Sequence, residues 1–142
     1  MSDHNLQVAE RLFAAINAHD LSVTKKEYAE GFRGESPGVG SDLTFEKSTA
    51  NTQGFLDAFP DLHFELRHKI AQGDFVAVNW VATGTHKGAL TTPTGDKIPP
   101  TNKKATVPGS TTYQFKDGKV IRNWVHWDMV TLLAQLGLMP GM

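Results

Sequence analysis

"LHFELRHKIAQGDFVAVNWVATGT" (Leu62–Thr85) contains two strand patterns joined by a turn. In its first half, apolar and polar residues alternate, which predicts a strand with one wet face. After the turn at "QGD", the run Phe75–Thr85 is apolar on both faces, and such a strand needs helices against one face and another structure against the second. The expected inward set of the first strand is Leu62, Phe64, Leu66, His68 and Ile70, and the two faces of the second carry Val76, Val78, Trp80 and Ala82, and Phe75, Ala77 and Val81.

The sequence before this stretch has the period of helices. Asp3 is a candidate N-cap for a first helix that ends near Asn17–Asp20, with Leu6, Ala9, Leu12, Phe13 and Ile16 on one face. A shorter helical stretch is predicted over Val23–Glu30. The glycines and proline of "GFRGESPGVGSD" (Gly31–Asp42) then indicate a short strand and a loop. A second long helix is predicted from Asp42 to about Phe59, and Pro60 ends it.

The sequence after Thr85 has strand patterns around one strong turn signal. The segment Gly88–Asn102 is rich in Gly, Pro and Thr and predicts a rim loop. Lys104–Phe115 resumes the strand character, "KDGK" (Lys116–Lys119) predicts a two-residue Asp-Gly hairpin, and Val120 to about Trp127 returns. Met129–Leu136 predicts a short amphipathic helix, with Gly137 as its C-cap.

This order of elements predicts the fold class. Helices followed by a run of antiparallel strands are typical of an α+β layout, in which a curved sheet packs on helices with one face. A sheet folded over helices in this way leaves a conical cavity between the two layers. Such a cavity is suited to an apolar ligand.

Composition limits the class of protein. The chain has 142 residues and a formal net charge of −1, which predicts one compact domain over residues 1–142 and no attraction to nucleic acid or acidic membranes. The absence of cysteine excludes disulfides, thiolate catalysis and cysteine-based zinc sites, and it suits a reducing cytoplasm. No stretch is long and apolar enough to span a membrane, and no secretory signal core is present.

Asp128 is the residue whose surroundings need explaining. It lies between two tryptophans and an aliphatic run, where a charged carboxylate is costly unless it is paired, hydrogen-bonded or protonated. It is either the N-cap of the last helix or a general acid/base in an apolar pocket whose surroundings raise its pKa. His126 lies two residues earlier on the same strand face and is the candidate partner. No third ligand accompanies this pair at metal-site spacing, so we expect no metal.

The predicted hairpin divides the remaining candidates between two faces. If the pairing is regular, Thr111 and Tyr113 share a face with Trp124, His126 and Asp128, whereas Gln114 lies on the other face. A bulge would exchange the faces, and the pattern does not exclude one. His86 is a candidate for the pocket mouth or a rim, and Phe13 for the cavity wall or the core. The candidate substrate-binding residues are Trp124, Thr111, Tyr113, Gln114, His86 and Phe13.

Five motifs resemble a known family. They are "AFPDLHFEL" (Ala58–Leu66), "VATGTHKG" (Val81–Gly88), "PPTNKKATVPG" (Pro99–Gly109), "FKDGKVIRNW" (Phe115–Trp124) and "WDMVTLLAQLG" (Trp127–Gly137). They occur in the order found in SnoaL-like polyketide cyclases of the nuclear-transport-factor-2-like superfamily. The resemblance implies a cone-shaped, cystatin-like α+β barrel: a curved antiparallel sheet wrapped around N-terminal helices, with a deep apolar pocket and a dimer formed through the outer sheet face.

The resemblance also implies a chemistry. The family closes rings by intramolecular aldol condensation without metal or cofactor, and an aspartate that matches Asp128 serves as acid/base. The family's hairpin histidine falls around Thr112 or Gln114, and neither position is histidine here. The first hypothesis is therefore a cofactor-free acid/base enzyme acting on an apolar carbonyl compound through Asp128 and His126. The alternatives are a non-catalytic ligand-binding or dimerisation module, or an isomerase or hydrolase of the superfamily.

The expected partners follow from the same residues. We expect a small apolar molecule in the cone and a second copy of the chain on the outer sheet face. Leaving Phe75, Ala77 and Val81 in water would expose an apolar patch that is unusual for a monomer, and self-pairing about a twofold axis is the commonest way to cover it. The alternative is that Gly88–Asn102 folds back over this strand.

Overall fold

The computed structural model describes residues 2–91 and 95–138 and has an α+β fold. Its helices are α1 (Ser2–Asn17), α2 (Phe45–Ala58) and α3 (Met129–Gln135), and two short 3₁₀ turns cover Leu21–Val23 and Lys25–Glu27. Its strands are β1 (Tyr28–Ser36), β2 (Gly40–Leu43), β3 (His63–Gln72), β4 (Phe75–Thr85), β5 (Leu90–Thr91), β6 (Lys97–Ile98), β7 (Lys104–Lys116) and β8 (Lys119–Trp127).

The long strands form one curved sheet in the order β2–β1–β8–β7–β4–β3. Helix α1 packs on β3 and β4, and α2 lies against β1. The predicted α+β class, with a curved sheet around N-terminal helices, is confirmed. One pair departs from the expected antiparallel order: β1 runs parallel to β8.

The Asp-Gly turn between β7 and β8 is confirmed. Lys116 pairs with Lys119, and both Asp117 (φ 53°) and Gly118 (φ 81°) have positive φ. This is the backbone that a two-residue hairpin of matching twist requires, and Asn, Asp and Gly adopt it most readily.

The regular pairing expected beyond this turn is wrong. Phe115 pairs with Val120, but Gln114 pairs with Arg122, so Ile121 is an extra residue in β8. Such a bulge exchanges the faces of every later residue on the strand. As a result Thr111 lies opposite Val125 and Tyr113 lies opposite Asn123.

A second bulge corrects the inward set expected for β3. Leu66 pairs with Trp80, but His68 pairs with Asn79, so Arg67 is the extra residue. Phe64 and Leu66 therefore pack inward, whereas Ile70 is 63% exposed on the outer face. In β4 no such shift occurs: Val76, Val78 and Trp80 are buried, as expected for the face that packs on the helices.

Three boundaries differ from the sequence-based expectation. The helix predicted over Val23–Glu30 is limited to the 3₁₀ turns, because Tyr28 already pairs with Val120 as the first residue of β1. Helix α2 begins at Phe45 because the Thr44 hydroxyl accepts a hydrogen bond from the Lys47 amide and caps it. The predicted rim loop Gly88–Asn102 contains the small β5–β6 sheet, and residues 92–94 of that loop lie outside the described part.

The core has two apolar clusters. The first contains Val8, Leu12, Phe13, Phe32, Val76, Val78, Trp80, Tyr113, Phe115 and Val120, and the second contains Leu56, Phe59, Leu62, Leu90, Ala105, Val107, Leu132 and Leu136. Phe64, Ala82 and Trp127 pack against both. Within the part described, no helix is long and apolar enough to cross a membrane.

Candidate functional site

A cavity of about 160 Å³ lies between the helices and the concave face of the sheet. Aromatic side chains from every layer line it: Phe13, Phe55, Phe59, Phe64, Trp80 and Trp127. The cavity touches both apolar clusters, since Phe13 belongs to the first and Phe59 to the second. It is the conical cavity that the order of elements predicts.

The wall of this cavity carries no formal charge. Among the described residues that line it, none is Asp, Glu, His, Lys or Arg. Its polar groups are hydroxyls and amides, notably those of Tyr28, Thr49, Asn51, Thr111, Tyr113 and Asn123. Because an ion without a partner is costly to bury, such a wall favours an uncharged ligand.

Three of these polar residues form a patch on the sheet. Tyr113 lies directly opposite Asn123 across the β7–β8 ladder. Thr111 precedes Tyr113 by two residues on β7, so both side chains lie on the same face. The Trp80 indole N–H donates to the Thr111 hydroxyl oxygen at 3.0 Å. The Thr111 hydroxyl therefore keeps its own proton available for donation.

The two tyrosines are neutral hydrogen-bond donors. Burial, and then the nearby Tyr28, raises the pKa of Tyr113 well above its ordinary value of 10.0. Burial also raises the pKa of Tyr28, and the Glu27 charge adds to that shift. Although Tyr28 is partly exposed, the surrounding protein atoms disfavour its phenolate form. Both phenols therefore stay protonated at ordinary pH.

Several polar groups in the cavity have no protein partner. Within residues 2–91 and 95–138, neither tyrosine hydroxyl and neither Asn51 nor Asn123 side-chain amide hydrogen-bonds to another residue. In contrast, the Thr111 hydroxyl accepts from the Trp80 indole, and the Thr52 hydroxyl donates to the Ser48 backbone carbonyl. These groups face the cavity and are free to hydrogen-bond to a ligand that has polar atoms.

The expectation that Asp128 faces the apolar cavity is wrong. Its carboxylate is exposed and caps α3, accepting from the Thr131 amide at 3.1 Å and from the Thr131 hydroxyl at 2.8 Å. These bonds stabilise the charged form, so the pKa of Asp128 is lowered and not raised. The physical reason for its position is the bulge at Ile121, which brings Val125 and Trp127 inward.

The same bulge moves two other candidates, His126 and Trp124, to the outer face. His126 and Asp128 lie together at a shallow polar surface with Asn79, Pro108 and Ser110. The Trp124 ring lies near the exposed Phe75 at 6.5 Å, and the Arg122 guanidinium lies 5.5 Å from the Trp124 ring centre. Gln114 pairs with Arg122 and Phe75 and does not line the cavity.

His86 is not at the pocket mouth. It is fully buried, its ring stacks on Phe59 at 5.3 Å, and its Nδ1 accepts from the Thr101 amide at 3.2 Å. Backbone bonds of His86 with Asn102 and Lys103 tie the two ends of the rim loop together. Burial lowers the pKa of His86, which the Gly88 backbone opposes in part. Its position indicates a role in holding this loop.

Of the sequence-predicted residues, the structure brings Phe13, Thr111 and Tyr113 to the cavity. The sequence pattern does not point to Tyr28, Asn51 or Asn123 as site residues. Asn123 carries a signal, since a buried amide between Val120 and Val125 is unusual, but a regular register predicts it on the outer face. Tyr28 carries none, because the pattern around it predicts a helix. No group of acidic or histidine side chains within the described part is arranged to hold a metal ion.

The fold and the site together define a class of protein. A cone-shaped α+β sheet around N-terminal helices, with an internal cavity, is the fold of the nuclear-transport-factor-2-like superfamily. The chain belongs to the SnoaL-like polyketide cyclase family, whose model matches residues 6–136. No curated protein sequence matches the chain.

Solved structures share the fold of this chain. AclR from Streptomyces galilaeus, a candidate hydroxylase, is 27% identical with a TM-score of 0.86, over 100% of this chain and 86% of AclR. IdmH from Streptomyces antibioticus, a candidate polyketide cyclase, is 26% identical with a TM-score of 0.80, over 94% of this chain and 98% of IdmH. TsrD from Streptomyces laurentii, at 21% identity and a TM-score of 0.82 over 98% of each chain, shares the fold.

Proposed function

We propose that this protein binds an uncharged, mainly apolar small molecule with oxygen acceptors inside the cone. The observation that carries this proposal is a cavity wall that is aromatic and aliphatic, uncharged, and supplied with unpaired hydroxyl and amide groups. A polycyclic aromatic ketone of polyketide type has the matching chemistry. Family membership and the likeness to IdmH support that class of ligand.

Tryptophan fluorescence tests this proposal. Trp80 and Trp127 line the cavity, whereas Trp124 lies outside it, so the Trp124→Phe variant reports mainly on the cavity. We expect anthraquinone to quench this fluorescence in a saturable manner. We expect its sulfonate, which is the same ring system with a negative charge, to bind at least about tenfold more weakly, because the uncharged wall does not compensate for its desolvation.

Two results would reject the proposal. One is the absence of saturable quenching by anthraquinone in a variant whose thermal unfolding matches that of the wild type. The other is equal affinity for the neutral and the sulfonated quinone, which would place the probe on the polar surface and not in the cavity.

Ring closure by acid/base chemistry is the second candidate function. The family match favours it, and Asp128 with His126 would be its acid/base pair. Binding ranks first because both side chains lie outside the cavity that would hold the substrate. The test is turnover of a polyketide-type ketone ester by wild type and by Asp128→Asn. Loss of turnover with the fold intact would support the candidate, and unchanged turnover would reject Asp128 as the acid/base.

A further inference from the structure

The cavity differs in polarity between its two ends. At the end that contacts the first apolar cluster lie Tyr113, Tyr28 and Asn123. The lining side chains of the second cluster, together with Phe55 packed against it, are all apolar: Phe55, Phe59, Ala105, Val107 and Leu132. A ligand with one oxygen-bearing end and a hydrocarbon body fits such a cavity in a single orientation.

The polar end is held rigid by ring packing. Tyr28 packs edge-on against Phe32 at 4.8 Å and against Phe45 at 4.9 Å. Tyr113 packs against Phe13 at 6.5 Å and against Phe115 at 6.3 Å. Neither ring relies on its hydroxyl for its position, since no described residue accepts a hydrogen bond from it.

The Tyr28 and Tyr113 hydroxyls can donate to the same ligand atom. The chain contains only two tyrosines, and both line this cavity, where Tyr28 adds to the raised pKa of Tyr113. Each hydroxyl supplies one donor, and both donors are neutral in a wall without charge. The Asn123 amide, opposite Tyr113 on the neighbouring strand, supplies further donors. A carbonyl oxygen has two lone pairs and can accept from both phenols at once.

We propose that Tyr28 and Tyr113 form a paired-donor subsite that binds one neutral carbonyl oxygen of the ligand and directs its hydrocarbon body toward Phe55 and Phe59. This inference rests on the proposed function, because it assigns an orientation to the ligand of the same cavity. It predicts that the hydroxyls serve binding and not stability. Removing either hydroxyl leaves no unpaired group in the protein, so the fold should be unaffected.

Fluorenone and fluorene separate the two proposals. They have the same tricyclic body, and only fluorenone carries a carbonyl. We expect the Trp124→Phe protein to bind fluorenone about tenfold more tightly than fluorene, as two hydrogen bonds to the carbonyl oxygen allow. We expect Tyr113→Phe and Tyr28→Phe each to weaken fluorenone about three- to tenfold and to change fluorene less than about twofold.

A matched control comes from the apolar end. Phe55→Leu should weaken fluorenone and fluorene by the same factor, because it removes only apolar contact. The infrared carbonyl stretch of bound fluorenone gives an independent readout. It should lie at lower frequency in the wild type than in the Tyr28→Phe, Tyr113→Phe double variant, since hydrogen bonds weaken the C=O bond.

The outcomes distinguish the subsite from the binding function. If both probes bind equally, and the tyrosine variants change neither, the subsite is rejected while the proposed function stands. If neither probe binds, the proposed function fails. If Tyr113→Phe lowers the thermal midpoint by several degrees, the hydroxyl has a structural role, and the subsite is rejected for that residue.

Discussion

Gly109 shows how one residue shapes the cavity. It lies directly opposite Trp80 across the β4–β7 ladder. A Cβ at this position would collide with the Trp80 ring and would lie 2.8 Å from the His126 carbonyl oxygen. The missing side chain therefore allows the indole to lie over β7 and to reach Thr111.

Replacing this glycine should be destabilising. We expect Gly109→Ala to lower the free energy of unfolding by about 1–3 kcal/mol, because the indole must leave its position and gives up its hydrogen bond to Thr111. Urea unfolding measures the effect. Gly54→Ala is the control: it lies in α2 with open space around its Cβ, and we expect it to stabilise the protein by about 0.5–1 kcal/mol. Equal effects of the two variants would contradict the account of Gly109.

Individual helices and strands of this fold can be predicted where the sequence has a local pattern, such as apolar alternation or a turn dipeptide. The β4 bounds and the Lys116–Lys119 hairpin follow directly from apolar patterning and Asp-Gly chemistry. The bulge at Ile121 has no such signal. Both faces of β8 carry apolar side chains, Val125 inside and Trp124 outside, so hydrophobic pattern alone does not select a register. One extra residue therefore puts His126 and Asp128 on the face opposite to the one that a regular register predicts.

The Asp128 cap of α3 should make the stability of the fold depend on pH. The lowered pKa of Asp128 means that its capping bonds stabilise the fold above the unfolded-state pKa, and that this stabilisation is lost as pH falls through the lowered folded-state value. Asp128→Asn keeps a capping side chain without the charge. We expect the stability advantage of the wild type over this variant to be present at pH 7, to begin to fall near the unfolded-state pKa of about 4, and to be lost once the pH is below the lowered folded-state pKa, as thermal unfolding against pH would show.

Ligand binding should not depend on the same carboxylate. Because Asp128 lies outside the cavity, we expect Asp128→Asn to bind anthraquinone with wild-type affinity at pH 7. Loss of binding by this variant, with its fold intact, would contradict the position given to Asp128.

The whole molecule presents a second apolar surface opposite the cone. One row of paired residues crosses four strands of the outer face: Ile70, Ala77, Thr112 and Trp124. Beside this row, Phe75 is 45% exposed. Exposed apolar side chains grouped in this way are characteristic of an interface. We therefore propose a homodimer formed through this face.

Light scattering tests the dimer. At micromolar concentration we expect a mass near twice the 15.6 kDa of one chain. Ile70→Lys and Ala77→Lys should each weaken association at least about tenfold, because they bury a charge in the apolar interface. Val23→Lys, at an exposed apolar residue of the 3₁₀ turn, is the control and should leave the mass unchanged. A wild-type mass near 15.6 kDa would reject the dimer.

A crystal structure of the fluorenone complex tests the central claim most directly. We expect ligand density inside the cone, with the carbonyl oxygen within about 3.2 Å of both the Tyr28 and the Tyr113 hydroxyl oxygens and the ring system against Phe55 and Phe59. Ligand on the outer face beside His126, or ligand in the cone with its carbonyl directed toward Leu132, would contradict it.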